Sequence, residues 1–140
     1  MTPPPLTDVR APMVLVVDDD ARNRQLAVLG LSGHGWTVLA ASSGLEALIL
    51  TEQRHPDVVL LDIQMPGIDG LEILRRMRAH HDPRVSQTWV LAATALAMPG
   101  DRQRCLSAGA NDYLSRPFSF KDLRACIRAA LEQSPSSSVK

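Results

Sequence analysis

Lysine is almost missing from this chain of 140 residues: thirteen of its fifteen basic residues are Arg, leaving only Lys121 and Lys140. Fifteen acidic residues cancel them, so the formal charge is zero at pH 7. That balance gives no drive toward nucleic acid by bulk neutralisation of phosphates, and no nucleic-acid partner is expected. Apolar runs are short, and none approaches the roughly 18 residues of a membrane span, so no membrane partner is expected either. Residues 1–12 carry four prolines and no apolar h-region, which does not read as a secretory signal. Cysteine is limited to Cys105 and Cys126, with neither a CxxC pair nor a Cys/His ligand spacing. Both read as reduced thiols packed on helices, and the expected compartment is the cytoplasm.

What is present is apolar material enough for one core, 45% of all residues. The Pro-rich start, 1–12, and the Ser-rich end, 133–140, read as flexible tails around one domain at 13–132. Within it, Met13–Asp18, Trp36–Ala41, Asp57–Asp62, Thr88–Ala93 and the shorter Asp112–Ser115 read as strands. The first four are continuous apolar runs, as expected for a parallel sheet covered on both faces. Helical spacing fills the intervals. Leu26, Leu29 and Gly30 share a face of the first helix, ended by Gly33 and Gly35. A capping box at Ser43-Gly44-Leu45-Glu46 opens the second, with Leu45, Leu48 and Ile49 as its stripe. Asp69 caps a third that holds Leu71, Leu74 and Met77. A fourth spans about Asp101 to Ala108 and stops at Gly109, and Phe120, Leu123, Ile127, Ala130 and Leu131 line the last. Five βα units predict a doubly wound α/β sheet, with every strand's carboxyl end on one edge.

On that edge stand Asp18-Asp19-Asp20 after the first strand, Asp62 after the third, Thr94 after the fourth and Arg116-Pro117 after the fifth. An acidic triplet by itself reads as a solvated loop or a helix N-cap. Asp62, however, ends the apolar run Val58-Val59-Leu60-Leu61, and the fold brings it toward the first strand's acids. Two carboxylates ~5 Å apart at an effective dielectric of ~20 repel by roughly 3 kcal/mol. Such a cluster must protonate or bind a cation, and hard oxygen ligands suit Mg²⁺ or a similar ion. A metal, a carboxylate, a hydroxyl and a guanidinium together make a phosphoryl-transfer site.

Four blocks in order carry a resemblance: Val14-Leu15-Val16-Val17-Asp18-Asp19, Asp62-Ile63-Gln64-Met65-Pro66-Gly67-Ile68-Asp69-Gly70, Val90-Leu91-Ala92-Ala93-Thr94-Ala95 and Gly109–Phe118. Over about residues 13–132 the sequence resembles the response-regulator receiver domain of two-component signalling. The resemblance implies a flavodoxin-like sheet of order 2-1-3-4-5. It implies Asp62 as phosphoacceptor, and Mg²⁺ held by Asp18, Asp19, Asp62 and the Gln64 backbone carbonyl. Thr94 would hydrogen-bond the phosphoryl group, and Thr94 with Tyr113 would form the switch. The phosphodonor would be a histidine kinase or histidine phosphotransfer protein. The domain would be no enzyme beyond its own phosphorylation and dephosphorylation. Gly100–Cys105 and Asn111–Leu114 further resemble receivers attached to hybrid sensor kinases.

One position departs from the pattern: Arg116 stands where receivers place a lysine. A chain so poor in Lys simply favours Arg, and the positive charge survives. Yet a planar guanidinium is not a compact ammonium. It is expected to clamp Asp62 in two-point fashion or to swing out to solvent, altering coupling to Thr94 and Tyr113. Pro117 fits the family's proline, whose preceding bond is often cis.

With so little chain after Pro117 and the last helix using most of it, no output domain is expected and the signal leaves by protein contact. The fourth helix, fifth strand and fifth helix of this count form the face that receivers commonly present, including for a homodimer. Pro99-Gly100 gives the fourth helix a loose entry. Lys121, Arg124 and Arg128 make a basic stripe on the last helix, either a solvated face or a contact for an acidic partner. His34, His55, His80 and His81 read as surface residues near turns, not as phosphodonors. Two alternatives stand beside a single-domain receiver: a pseudo-receiver that binds proteins without being phosphorylated, and a fragment of a hybrid sensor kinase. A phosphatase with an aspartyl nucleophile is disfavoured because Gln64 stands where its second aspartate belongs. A nucleotide-binding flavodoxin-like protein is disfavoured because the loop after the first strand is acidic rather than glycine-rich.

Overall fold

Strands covered on both faces need no polar side, and the apolar runs of this chain form the middle of a sheet for that reason. β1 (Met13–Val17) and β3 (Val58–Asp62) are buried along their whole length, and β4 (Trp89–Thr94) over all but its first residue. β2 (Thr37–Ala41) and β5 (Asp112–Ser115) lie at the edges and are only partly covered. The computed structural model describes residues 11–65, 70–94 and 99–133. Among them the sheet has five strands, every pairing parallel, in the order β2-β1-β3-β4-β5. Each strand matches its expected span to within a residue. The proposed tails beyond residues 11–133 and the Asp69 cap fall outside the described residues.

Alternation along the strands divides the core into two layers. Leu15, Val17, Val59, Leu61, Val90 and Ala92 point to one face, covered by α2 (Gly44–Arg54), α3 (Gly70–Arg78), the short α4 (Pro83–Ser86) and α5 (Asp101–Ala108). Val14, Val16, Val58, Leu60, Leu91 and Ala93 point to the other, under α1 (Ala21–Leu31) and α6 (Phe120–Gln133). Leu15, Leu61, Leu74, Leu123 and Ile127 are fully enclosed. Each such side chain stabilises the fold by ~1.5–3 kcal/mol relative to exposure.

Two helices bury a face shifted from the expected one, keeping Gly30 of the first stripe and the partly buried Leu48 of the second. In α1 the covered residues are Ala27, Gly30 and Leu31, while Leu26 and Leu29 are 46% and 69% exposed. In α2 they are Gly44, Ala47 and Thr51, with Leu45 and Ile49 half exposed. Small residues win these positions because the helices lie close to their neighbours. A Cβ on Gly30 would meet the Phe120 ring at 2.6 Å. The Thr51 hydroxyl is accommodated by donating to the Ala47 carbonyl at 2.8 Å. Phe120 itself is 41% exposed, at the end of an α6 stripe that otherwise packs as expected. The capping box forms: Ser43 Oγ accepts from the Glu46 N–H at 3.1 Å, and Glu46 Oε1 accepts from Ser42 N–H at 2.8 Å.

At the amino edge of the sheet, one arginine ties several segments together. Arg78, at the end of α3, donates to the carbonyls of Ser86, Thr88 and Gly109 and to Asn111 Oδ1, all at 2.7–2.9 Å. Asn111 Oδ1 also accepts from the Val90 N–H at 2.8 Å.

Candidate functional site

At the opposite, carboxyl edge the register collects the polar residues. Asp62 pairs with Ala93 on β4, and Thr94 pairs with Ser115 on β5. The Asp18 N–H reaches Ala41 O at 3.1 Å, carrying the β1–β2 pairing one residue past the strand. Asp18 is thereby locked in place at 1% exposure, and Asp62 lies at 5%.

Both buried carboxylates spend one oxygen on their own turn. Asp18 Oδ1 accepts the Asp20 N–H at 2.9 Å, and Asp62 Oδ1 accepts the Gln64 N–H at 3.0 Å. Asp20 in turn caps α1 through the Asn23 N–H at 3.1 Å. Arg24, one turn into α1, donates to the Asp18 carbonyl at 2.8 Å. On the far side of Asp62, α3 begins in close contact with the strand end. A Cβ on Gly70 would meet Asp62 O and Ile63 Cα at 2.6 Å, so only glycine fits.

The result is a triad of acids. One carboxylate oxygen from each of Asp18, Asp19 and Asp62 lies within 4.8 Å of the others, with Asp19 exposed and the other two buried. Burial, with the Asp18 charge adding to it, pushes the Asp62 carboxyl up to about 6 against the pull of the Gln64 N–H and Arg116. Arg116 answers part of this charge. Its Nη2 donates to Asp18 Oδ2 at 2.8 Å, while its Nη1 stands 3.7 Å from Asp62 Oδ1. The expected two-point clamp on Asp62 is thus a bridge between two acids, tightest on Asp18. Its Cζ stands 5.7 Å from the Phe118 ring centre, and the Arg116-Pro117 bond is cis.

Thr94 is buried and lines a cavity of about 90 Å³ with Gln64, Asp101, Arg104 and Cys105. Tyr113 packs against the α5 side of the core, and its buried hydroxyl has no hydrogen-bond partner among the described residues. Among the described residues, no helix is long and apolar enough to cross a membrane.

Residues 14–128 match the response regulator receiver domain family. The chain belongs to that family. The receiver is 39% identical over 120 residues to the transcriptional regulatory protein HprR of Escherichia coli K12, covering 86% of this chain and 52% of that protein. It is 41% identical over 120 residues to the response regulator MprA of Mycobacterium sp. strain KMS, covering 86% and 50%. The chain therefore spans about half the length of these curated relatives. Among solved structures it is similar to the receiver domain of Francisella response regulator 1452, with TM-score 0.79 and 30% identity over 87% of this chain and 98% of that one. It is also similar to the Vibrio cholerae chemotaxis protein CheY4, with TM-score 0.77 and 29% identity over 86% and 98%. Receivers are signalling modules rather than enzymes acting on outside substrates.

Of the expected site residues, Asp18, Asp19, Asp62 and Arg116 meet directly, while Thr94 and Gln64 stand at the adjoining strand ends. The basic stripe of the receiver is partly engaged elsewhere. Arg124 donates to Gly30 O of α1 at 3.3 Å, and Arg128 lies over the ring of Trp36, the residue before β2, at 5.6 Å. Lys121 is exposed. His80 pairs with Glu52 at 2.9 Å, His34 and His81 are exposed, and Cys105 and Cys126 are free thiols on α5 and α6. Asp20 fills the N-cap role that the acidic triplet offered, whereas the sequence assigned no role to Arg24 or Gly70. Their signals were an arginine one turn into α1 and a glycine where α3 abuts the site.

Proposed function

We propose that Asp62 is the phosphoacceptor of a phosphorelay, charged by a histidine kinase or a histidine phosphotransfer protein. One observation carries this reading: a buried carboxylate at the end of β3 lies within 4.8 Å of Asp18 and Asp19 and beside a guanidinium. With its carboxyl at about 6, Asp62 is mostly ionised at neutral pH and ready to act as a nucleophile. An Asp62 oxygen bonds to phosphorus as the P–N bond of phosphohistidine breaks, and that bond's electrons stay on the imidazole.

The donor set suits Mg²⁺: hard carboxylate oxygens from Asp18, Asp19 and Asp62 would hold it, with the Gln64 carbonyl as the further ligand that the family resemblance implies and an exposed side at Asp19 open to water. Bound there, Mg²⁺ supplies positive charge beside the transferring oxygens. Arg116 adds charge from the β5 side, and the Thr94 hydroxyl orients the phosphoryl group. Movement of Thr94 frees space that Tyr113 enters, which changes the face formed by α5, β5 and α6. The output is a protein contact on that face, with an unidentified downstream protein or a second copy of the domain, in the cytoplasm and without direct binding to nucleic acid or membrane.

Arg116 favours a second reading, a receiver-fold module that binds proteins without phosphorylation. Incubation with acetyl phosphate and MgCl₂ followed by intact mass separates the two. One added phosphoryl group that vanishes in Asp62→Asn supports the phosphorelay; no added mass in either protein supports the binding module.

A further inference from the structure

We infer that Arg116 acts as a tethered counter-cation that must give up Asp18 before Mg²⁺ can take it, so metal binding and release of the guanidinium are one exchange. The inference rests on the proposed metal role of Asp18, Asp19 and Asp62. Asp18 is enclosed and has two carboxylate oxygens. Oδ1 holds the Asp20 N–H at 2.9 Å and Oδ2 holds Arg116 Nη2 at 2.8 Å. The first bond belongs to the turn that starts α1, so it cannot be surrendered without moving the helix. That leaves Oδ2 as the oxygen freer to take a metal, and the Arg116 guanidinium already stands on it, so a second cation there would be repelled by the first. The Arg116 side chain is 19% exposed and that of Asp18 only 2%, so this pair is shielded from the screening that weakens surface ion pairs.

The guanidinium has somewhere to go. Phe118 offers a ring face on one side of it. Beside it lies a surface pocket of about 270 Å³ lined by Asn23, Leu26, Phe118 and Phe120. The exposed Leu26 and Phe120 form the rim of that pocket. A lysine at 116 lacks the forked group that spans both acids, so it would compete less well for Oδ2. The substitution that separates this receiver from its family's pattern thus makes the metal site self-neutralised at rest, and weaker for Mg²⁺ as a consequence.

Calorimetric titration of the full chain with MgCl₂ tests this, using wild type, Arg116→Lys and Arg116→Gln. Circular dichroism melts in EDTA establish that each variant is folded. Binding should tighten about threefold in Arg116→Lys and about tenfold in Arg116→Gln, tenfold being ~1.4 kcal/mol. In ¹⁵N-labelled wild type, Mg²⁺ should shift the Arg116 Nε–H resonance and leave that of Arg78 in place. Equal affinity in wild type and Arg116→Lys would overturn the exchange even if Arg116→Gln tightened, since charge alone would then explain the gain. An Arg116 resonance indifferent to saturating Mg²⁺ would overturn it as well. Failure of all three proteins to bind Mg²⁺ would remove the metal reading itself, and the exchange with it.

Discussion

Replacing Asp62 with Asn should make the metal-free protein more stable at neutral pH, although it removes the proposed phosphoacceptor. Burial, reinforced by Asp18, lifts the Asp62 carboxyl from 3.8 to about 6. A raised acid is protonated more readily in the native state than in the unfolded chain. Its contribution to stability is therefore fully present below pH ~4 and is lost as pH rises through about 6. Roughly two units at ~1.4 kcal/mol each put the cost of ionisation near 3 kcal/mol by pH 7.5. Asn keeps an oxygen for the Gln64 N–H and can donate to Asp18, while Arg116 retains Asp18 as its closer partner. Urea denaturation in EDTA, followed by the fluorescence of Trp36 and Trp89, should show Asp62→Asn ahead by about 1–3 kcal/mol at pH 7.5 and level with wild type at pH 4. Saturating MgCl₂ should shrink the gap, because it stabilises wild type more. Equal or lower stability of the variant at pH 7.5, or an advantage undiminished at pH 4, would refute the electrostatic account.

Three further substitutions probe separate features. Gly70→Ala drives a methyl into the Asp62 carbonyl and Ile63 Cα and should cost about 1–3 kcal/mol in urea denaturation. Tyr113→Phe deletes a buried hydroxyl that has no partner among the described residues, so its denaturation midpoint should stay level or rise, by up to ~1 kcal/mol in stability. Arg78→Met keeps the aliphatic stem but removes four hydrogen bonds, and should lower stability by about 3 kcal/mol and speed amide exchange at Val90.

Much of this was legible before any coordinates. Continuous apolar runs, two of them ending in acids, marked the four longer strands, because buried parallel strands need not alternate. The carboxyl-edge rule then assembled Asp18, Asp62, Thr94 and Arg116 from distant segments. What the sequence concealed was which face α1 and α2 bury. Helical periodicity ranks Leu above Ala, whereas close approach to α6 and the sheet selects Ala27 and Ala47 beside the expected Gly30 and leaves Leu26, Leu29 and Ile49 outside. α4 escaped notice although Asp82-Pro83 announces it as an N-cap followed by proline at N1. The partner of Arg116 was equally hidden, since nothing in its spacing distinguishes Asp18 from Asp62.

The arginine staple at the amino edge bears on how α5 can tilt. At Gly109 the helix ends in a left-handed turn whose N–H bonds back to Cys105 and Leu106, and Arg78 grips the Gly109 carbonyl. At Gly100, by the carboxyl edge, Asp101 opens the helix buried and paired with Arg104. Any tilt of α5 must therefore work against the grip of Arg78 on the Gly109 turn, and Asn111, which leads into β5 and is held by the same side chain, is drawn along with it.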